Sequence, residues 1–148
     1  MSTNDNRNTT NQAIAEHVEP VGSTQQDVLD YLRNRPSGIT FVHGKAGCGK
    51  TYLIRQIEKS VAGCQVLVPT NLAATLYKKA RTIHSYFWSS FDQLEEGFQN
   101  PDALTEAKVA QTAVQLSGVS MLVIDEISMV RADTFEMMDR ICRLGLKS

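Results

Sequence analysis

The segment from Gly44 to Thr51 constrains this 148-residue chain more than any other, because three of its glycines precede a lysine and a threonine. A short run of β-branched and aromatic residues, Ile39–Val42, comes just before it. Apolar residues at helical spacing, among them Leu53 and Ile57, follow it. This order predicts a strand, a loop and a helix, the context that the P-loop pattern GxxxxGK[ST] requires.

The chemistry of this loop follows from its residue types. Glycines permit backbone conformations that are closed to other residues, so consecutive N–H groups can point at phosphates beside the positive end of a helix dipole. We predict that Lys50 holds the β- and γ-phosphates of ATP and that the Thr51 hydroxyl binds Mg²⁺. The alternative is a glycine turn with a surface lysine. The predicted nucleotide-binding residues of the loop are Gly44, Lys45, Ala46, Gly47, Cys48, Gly49, Lys50 and Thr51.

Strands and helices are expected to alternate along the rest of the chain. Gln65–Val68 and Val119–Ile124 are predicted strands, and the second is apolar enough to be covered on both faces. The alternation predicts an α/β fold with an open parallel sheet, helices on both faces and ligands beyond the carboxyl ends of the strands. Predicted helices are one capped by Ser23, one from Pro69-Thr70-Asn71 to about Lys79, one opened by Asn100-Pro101 and one over Ala132–Leu144, whereas Thr82–Phe91 is expected to be irregular.

Two carboxylates follow the most apolar strand. Asp125 and Glu126 come directly after Leu122-Val123-Ile124. Beside a P-loop, Asp125 is predicted to bind Mg²⁺, directly or through water, and Glu126 to orient and deprotonate the attacking water. The alternative is that the pair only caps the next helix.

Charge and cysteine content restrict the other classes. Lys and Arg number 15 against 16 Asp and Glu, so nucleic-acid binding must come from a local surface. Three widely spaced cysteines indicate neither a disulfide framework nor a zinc site. Residues 1–20 are polar and are expected to form a disordered tail, with one domain over 21–148. The chain has no apolar run long enough to span a membrane and no secretory signal, so we expect an intracellular protein, cytoplasmic or nucleoid-associated, that is not secreted.

Four motifs in order resemble those of the PIF-type and RecD-like branch of superfamily 1 DNA helicases. Asp125–Val130 is similar to the Walker B signature of that branch, and Pro69–Ala74 is similar to its motif Ia. Thr82–Ser85 matches the TIHS element, and Gln25 occupies the position of the Q-motif glutamine that reads adenine. The resemblance covers about Val21–Leu144 and implies a P-loop NTPase with a RecA-like fold.

The resemblance implies a 5′→3′ DNA helicase that uses ATP and Mg²⁺ to move along single-stranded DNA. By this analogy Thr70, Asn71, His84 and Ser85 lie along the DNA track, with positive charge nearby on Lys78, Lys79 and Arg81. Alternatively, Thr70 and Asn71 only cap a helix and His84 is a packing residue. The aromatic residues Tyr86, Phe87, Trp88 and Phe91 are either stacking platforms for bases or, in preference, part of the core.

The chain departs from that family at its C-terminus. It ends at Ser148, before the motif III element and the second lobe that such helicases need. We therefore expect a single incomplete lobe that binds nucleotide and turns it over slowly, with the second lobe and its arginine finger supplied in cis by a longer product or in trans. A non-catalytic nucleotide-binding fragment or interaction module is the alternative function. A small nucleotide kinase is a third, which the motif Ia and TIHS elements disfavour.

Overall fold

The computed structural model describes residues 22, 24–34, 36–88 and 106–147. The expected disordered tail, Phe91 and the predicted helix start at Asn100-Pro101 lie outside these residues. No helix in the described ranges is long and apolar enough to cross a bilayer. The elements are α1 (Gln25–Arg33), α2 (Lys50–Ser60), β1 (Cys64–Val68), α3 (Asn71–Ala74), β2 (Arg81–Thr82), α4 (Ile83–Phe87), α5 (Glu106–Leu116), β3 (Met121–Ile124), a 3₁₀ turn (Ile127–Met129) and α6 (Ala132–Lys147).

The three strands form one parallel sheet in the order β2-β1-β3. Leu67 of β1 is in register with Ile124 of β3 and with Arg81 of β2. In a parallel sheet all carboxyl ends meet at one edge. The segments that follow the strands, which begin at Pro69, Ile83 and Asp125, therefore emerge side by side.

Both faces of the sheet are covered, as the alternation of elements predicts. Leu67 packs in one cluster with the aromatic residues of α4 and the methionines of α6. Val66 and Val68 point the other way and pack with Ile54 of α2. Successive side chains of a strand point to opposite faces, so one short strand supplies both layers of core. The α/β fold with a parallel sheet and helices on both faces is confirmed.

The predicted strand over Ile39–Val42 is wrong. This segment has no strand pairing in the described part of the chain, and Ile39 and Phe41 are 79% and 70% exposed. High β-propensity favours an extended backbone, but a strand also needs a neighbour to hydrogen-bond with. The segment thus enters the glycine-rich loop as irregular chain.

Three helix predictions also need correction. The helix predicted to reach Lys79 ends at Ala74: the next residues form tighter turns, with the Leu76 N–H donating to the Ala73 carbonyl oxygen at 3.1 Å, and side chains of α2 then bond the backbone of residues 76, 78 and 79. The segment expected to be irregular contains α4, which Thr82 caps by accepting from the Ser85 N–H at 3.1 Å. The cap of α1 is Thr24, which forms a capping box with Asp27.

Candidate nucleotide-binding site

The glycine-rich loop has backbone conformations that few residues other than glycine can adopt. Gly47 and Gly49 have φ values of +76° and +93°, in the region that glycine favours. A Cβ atom on Gly49 would overlap the amide nitrogen of Gln25, and one on Gly44 would lie 2.5 Å from the Cys48 Sγ. The glycines at these positions therefore allow both the turn of the loop and the close approach of its neighbours.

The side chain of Lys50 lies inside this loop. Its ammonium donates to the carbonyl oxygens of Gly44 at 2.6 Å and Lys45 at 3.1 Å, and it lies 3.8 Å from the Cys48 Sγ. Lys50 is also the first residue of α2, where the helix dipole is positive and N–H groups have no helical partner. A positive charge and free N–H groups at one point form an anion-binding site. Ala46 lies in the turn between these residues.

Gln25 supports the loop directly. Its side-chain amide donates to the carbonyl oxygens of Cys48 at 3.0 Å and Gly49 at 3.2 Å. It is the first residue of α1 and also lines a surface cavity of about 170 Å³ between α1 and α2, together with Tyr52. Contact with the loop is a role that the sequence did not indicate, and adenine recognition by Gln25 stays a prediction.

Asp125 extends the sheet by one bond beyond β3. Its N–H donates to the Leu67 carbonyl oxygen at 3.0 Å, which fixes the backbone at the carboxyl edge. One carboxylate oxygen accepts from the Glu126 N–H at 2.9 Å, and the other accepts from the Tyr77 hydroxyl at 2.5 Å. Both oxygens of Asp125 are therefore oriented by donors.

Tyr77 contacts Asp125, one of the two predicted magnesium ligands. Burial raises the pKa of its hydroxyl far above the ordinary value, as does the hydrogen bond to Asp125, while the Thr51 side chain acts in the opposite direction. Sequence analysis did not find Tyr77, because its contact with Asp125 spans 48 residues and no local pattern marks it.

Glu126 has an unusual backbone. Its φ and ψ are 56° and 45°, and it is the non-glycine residue with positive φ in the described ranges. Such a conformation costs about 1–3 kcal/mol and occurs preferentially at functional sites. The side chain is exposed and follows Asp125 directly in the chain.

The four residues predicted to contact DNA lie after β1 and β2, at the same edge of the sheet. Thr70 caps α3 by accepting from the Ala73 N–H at 3.2 Å, and Asn71 is the exposed first residue of that helix. His84 is half-buried, with its ring centroid 6.1 Å from that of Trp88, and Ser85 is exposed. The capping alternative for Thr70 thus holds, and it leaves the DNA contact a prediction. The core interpretation of the aromatic residues is confirmed for Tyr86, Phe87 and Trp88, which are buried.

The donor set at this edge fits magnesium. Thr51 and Asp125 offer a hydroxyl and a carboxylate, the hard oxygen ligands that Mg²⁺ prefers. The described residues contain no group of three or more His, Cys, Asp or Glu that could hold a metal. Phosphate oxygens of a nucleotide and water molecules are the other ligands that Mg²⁺ takes at such sites.

Comparison with known proteins identifies the family. A sequence model described as PIF1-like helicase matches residues 21–148. The chain belongs to the PIF1-like helicase family. The structure of Bacteroides Pif1 bound to single-stranded DNA has a TM-score of 0.60 and 33% identity to it, over 88% of this chain and 29% of that one. The structure of Bacteroides Pif1 in complex with ADP-AlF4 has a TM-score of 0.59 and 32% identity, with the same coverage.

Curated relatives agree with this assignment. The ATP-dependent DNA helicase Pif1 of Bdellovibrio bacteriovorus is 32% identical over 116 residues, which cover 77% of this chain and 25% of that protein. The ATP-dependent DNA helicase PIF1 of Emericella nidulans is 31% identical over 131 residues, which cover 86% and 17%. The chain thus spans a quarter or less of these PIF1 relatives, and its fold is RecA-like.

Proposed function

We propose that this chain is the ATP-binding lobe of a 5′→3′ ATP-dependent DNA helicase. One observation carries the proposal: Tyr77, whose segment is bonded to the helix that begins with Lys50, orients Asp125 from a distant part of the sequence. Family membership and the relative crystallised with ADP-AlF4 support nucleotide as the ligand. Such an enzyme would act inside the cell, where its DNA is.

Each residue has a defined task in this proposal. Lys50 and the loop N–H groups would bind the β- and γ-phosphate oxygens, and Gln25 would hold the loop and read adenine from its edge. Thr51 and Asp125 would hold Mg²⁺, which neutralises phosphate charge when bound. Glu126 would orient the attacking water and accept its proton. An arginine finger, worth roughly 10³–10⁵ in rate in such enzymes, would come from a second lobe.

Single-stranded DNA is the proposed partner at the same edge of the sheet. Thr70 and Asn71 expose short polar groups that can donate to phosphates. Ser85, whose hydroxyl donates to the Thr82 carbonyl oxygen at 3.0 Å, and the half-buried His84 are proposed to contact the DNA at the same edge. Lys78, Lys79 and Arg81 are exposed next to them and supply local positive charge to a chain of net charge −1. The relative crystallised with single-stranded DNA supports this partner.

Nucleotide binding tests the first half of the proposal. Fluorescence titration with a labelled ADP, with excess Mg²⁺ and with EDTA, would compare the wild type, Lys50→Ala and Lys59→Ala. Lys59 is an exposed lysine in the last turn of the same helix, so it controls for a general loss of charge. We expect Lys50→Ala to weaken binding by about 10–100-fold, the value of a charge-assisted contact, and Lys59→Ala to leave it unchanged. Equal affinities for all three chains would refute the proposal.

DNA binding and turnover test the second half. Fluorescence anisotropy with an oligonucleotide at increasing salt should show affinity falling with salt, and Lys78→Ala should reduce that slope. ATP hydrolysis by this lobe alone should be slow, because the arginine finger belongs to the second lobe, and Glu126→Gln should abolish what turnover there is while leaving nucleotide binding intact. Strand displacement on 5′-tailed and 3′-tailed duplexes tests direction once the second lobe is supplied. Hydrolysis that persists in Glu126→Gln would remove that residue from its proposed role.

A further inference from the structure

Tyr77 is a buried polar residue at the centre of the site. Tyr77 is 8% exposed, yet its hydroxyl donates to the carboxylate of Asp125, which the proposed function assigns to the metal. The ring packs with Ile54, Val66 and Val68, which are core residues of α2 and β1. A phenylalanine would fill the same space, so packing alone does not explain the hydroxyl.

The backbone around Tyr77 is fixed from α2. The guanidinium of Arg55 donates to the Leu76 carbonyl oxygen at 2.9 Å. The carboxylate of Glu58 accepts from the N–H groups of Lys78 at 3.1 Å and Lys79 at 2.8 Å. Three bonds thus hold the residues on both sides of Tyr77 to the helix that begins with Lys50 and Thr51.

The hydroxyl decides how Asp125 faces the site. An ionised carboxylate has about four lone-pair positions, and the Glu126 N–H and the Tyr77 hydroxyl use one on each oxygen. The remaining positions can accept a cation or its bound water. Without the hydroxyl, the carboxylate has one donor and can rotate about its side-chain bonds.

We propose that Tyr77 is a positioning residue for the divalent cation, whose hydroxyl holds Asp125 in the orientation that binds the Mg²⁺ of a nucleotide. This inference rests on the proposed nucleotide-binding function and adds a residue to it. The effect acts through Asp125, since Tyr77 itself does not contact nucleotide or metal in this proposal.

The test measures how much Mg²⁺ strengthens ADP binding. The dissociation constant of a labelled ADP is measured with EDTA and with excess Mg²⁺, and the ratio of the two is compared among variants. Tyr77→Phe should lower this ratio by roughly tenfold, the effect of losing one hydrogen bond to a charged group, and leave the affinity in EDTA unchanged. Tyr86→Phe is the matched control, because Tyr86 is also buried but its hydroxyl is 3.5 Å from a backbone oxygen of Gln115.

A second variant keeps the test decisive if Tyr77→Phe fails to fold. Glu58→Gln leaves the phenol in place but weakens the bonds that fix its backbone, so the Mg²⁺ ratio should fall by about threefold. If Tyr77→Phe and Glu58→Gln both show the same ratio of dissociation constants as the wild type, the role of Tyr77 is refuted and the proposed function still stands. If the wild type does not bind ADP, or binds it with the same affinity in EDTA and in Mg²⁺, both the role of Tyr77 and the proposed function are refuted.

Discussion

Replacing Gly49 by alanine should destabilise the protein more than the same replacement at Gly47. Both residues have positive φ, and a side chain in that region costs roughly 1–2 kcal/mol. No atom lies within 4 Å of a Cβ on Gly47, whereas a Cβ on Gly49 would overlap the Gln25 amide nitrogen. Gly49→Ala must therefore also move Gln25 away from the two carbonyl oxygens that it bonds.

The expected difference follows from those two bonds. A hydrogen bond contributes about 0.5–1.5 kcal/mol, and these two are exposed, so values at the lower end apply. We expect Gly47→Ala to lower the free energy of unfolding by about 1–2 kcal/mol and Gly49→Ala to lower it by about 2–4 kcal/mol.

Urea denaturation followed by circular dichroism measures both values. A Gln25→Ala background supplies the control, because without the Gln25 amide the two alanine substitutions should cost the same. Equal losses in the wild-type background, or a difference that survives in Gln25→Ala, would show that contact between Gln25 and the loop is not the cause.

Three further predictions concern the core, the strained residue and the thiols. Leu67→Ala, at a fully buried position of the central strand, should cost about 2–5 kcal/mol in urea denaturation, and the exposed Leu72→Ala should cost less than about 0.5 kcal/mol. Glu126→Gly should raise the free energy of unfolding by about 1 kcal/mol, because glycine releases the backbone strain at this positive φ, whereas Glu126→Gln should not raise it. If Glu126→Gln stabilises the protein equally, backbone strain is not the cause. Burial raises the pKa of the Cys64 and Cys142 thiols from 9.0 to about 11, so their contribution to stability is fully present below pH 9 and is lost as pH rises through 11. The double replacement of both cysteines by alanine should flatten that alkaline fall, and an equally steep fall would assign it to other groups.

Features with a local cause were predictable from the sequence. The positive φ values of Gly47 and Gly49 require glycine, so the loop is visible in the residue types themselves. The apolar residues of β3 and the polar pair after it likewise predicted where Asp125 would emerge. These features depend on neighbours a few residues away, which a motif records.

Features with a distant cause were not predictable. Ile39–Val42 has strand-like composition but no partner in the described residues, and pairing is a property of two segments. The path of the chain after α3 is fixed by Arg55 and Glu58 of α2, which bond the backbone of Leu76 and Lys79 across about 21 residues. Tyr77 reaches Asp125 across 48 residues. Each outcome depends on a contact that no spacing encodes.

These distant contacts link the segment after β1 to both α2 and Asp125, which predicts coupling between the two proposed ligands. Glu58 of α2 fixes Lys78 and Lys79, and Tyr77 reaches Asp125 from the same segment. DNA that moves the segment after Thr70 is then expected to disturb the proposed magnesium site. We expect an oligonucleotide to change the affinity for Mg²⁺-ADP, and Mg²⁺-ADP to change the affinity for the oligonucleotide by the same factor, because binding linkage is reciprocal. Glu58→Gln should bring that factor closer to one in both titrations. An undiminished factor in Glu58→Gln would show that the coupling takes another route.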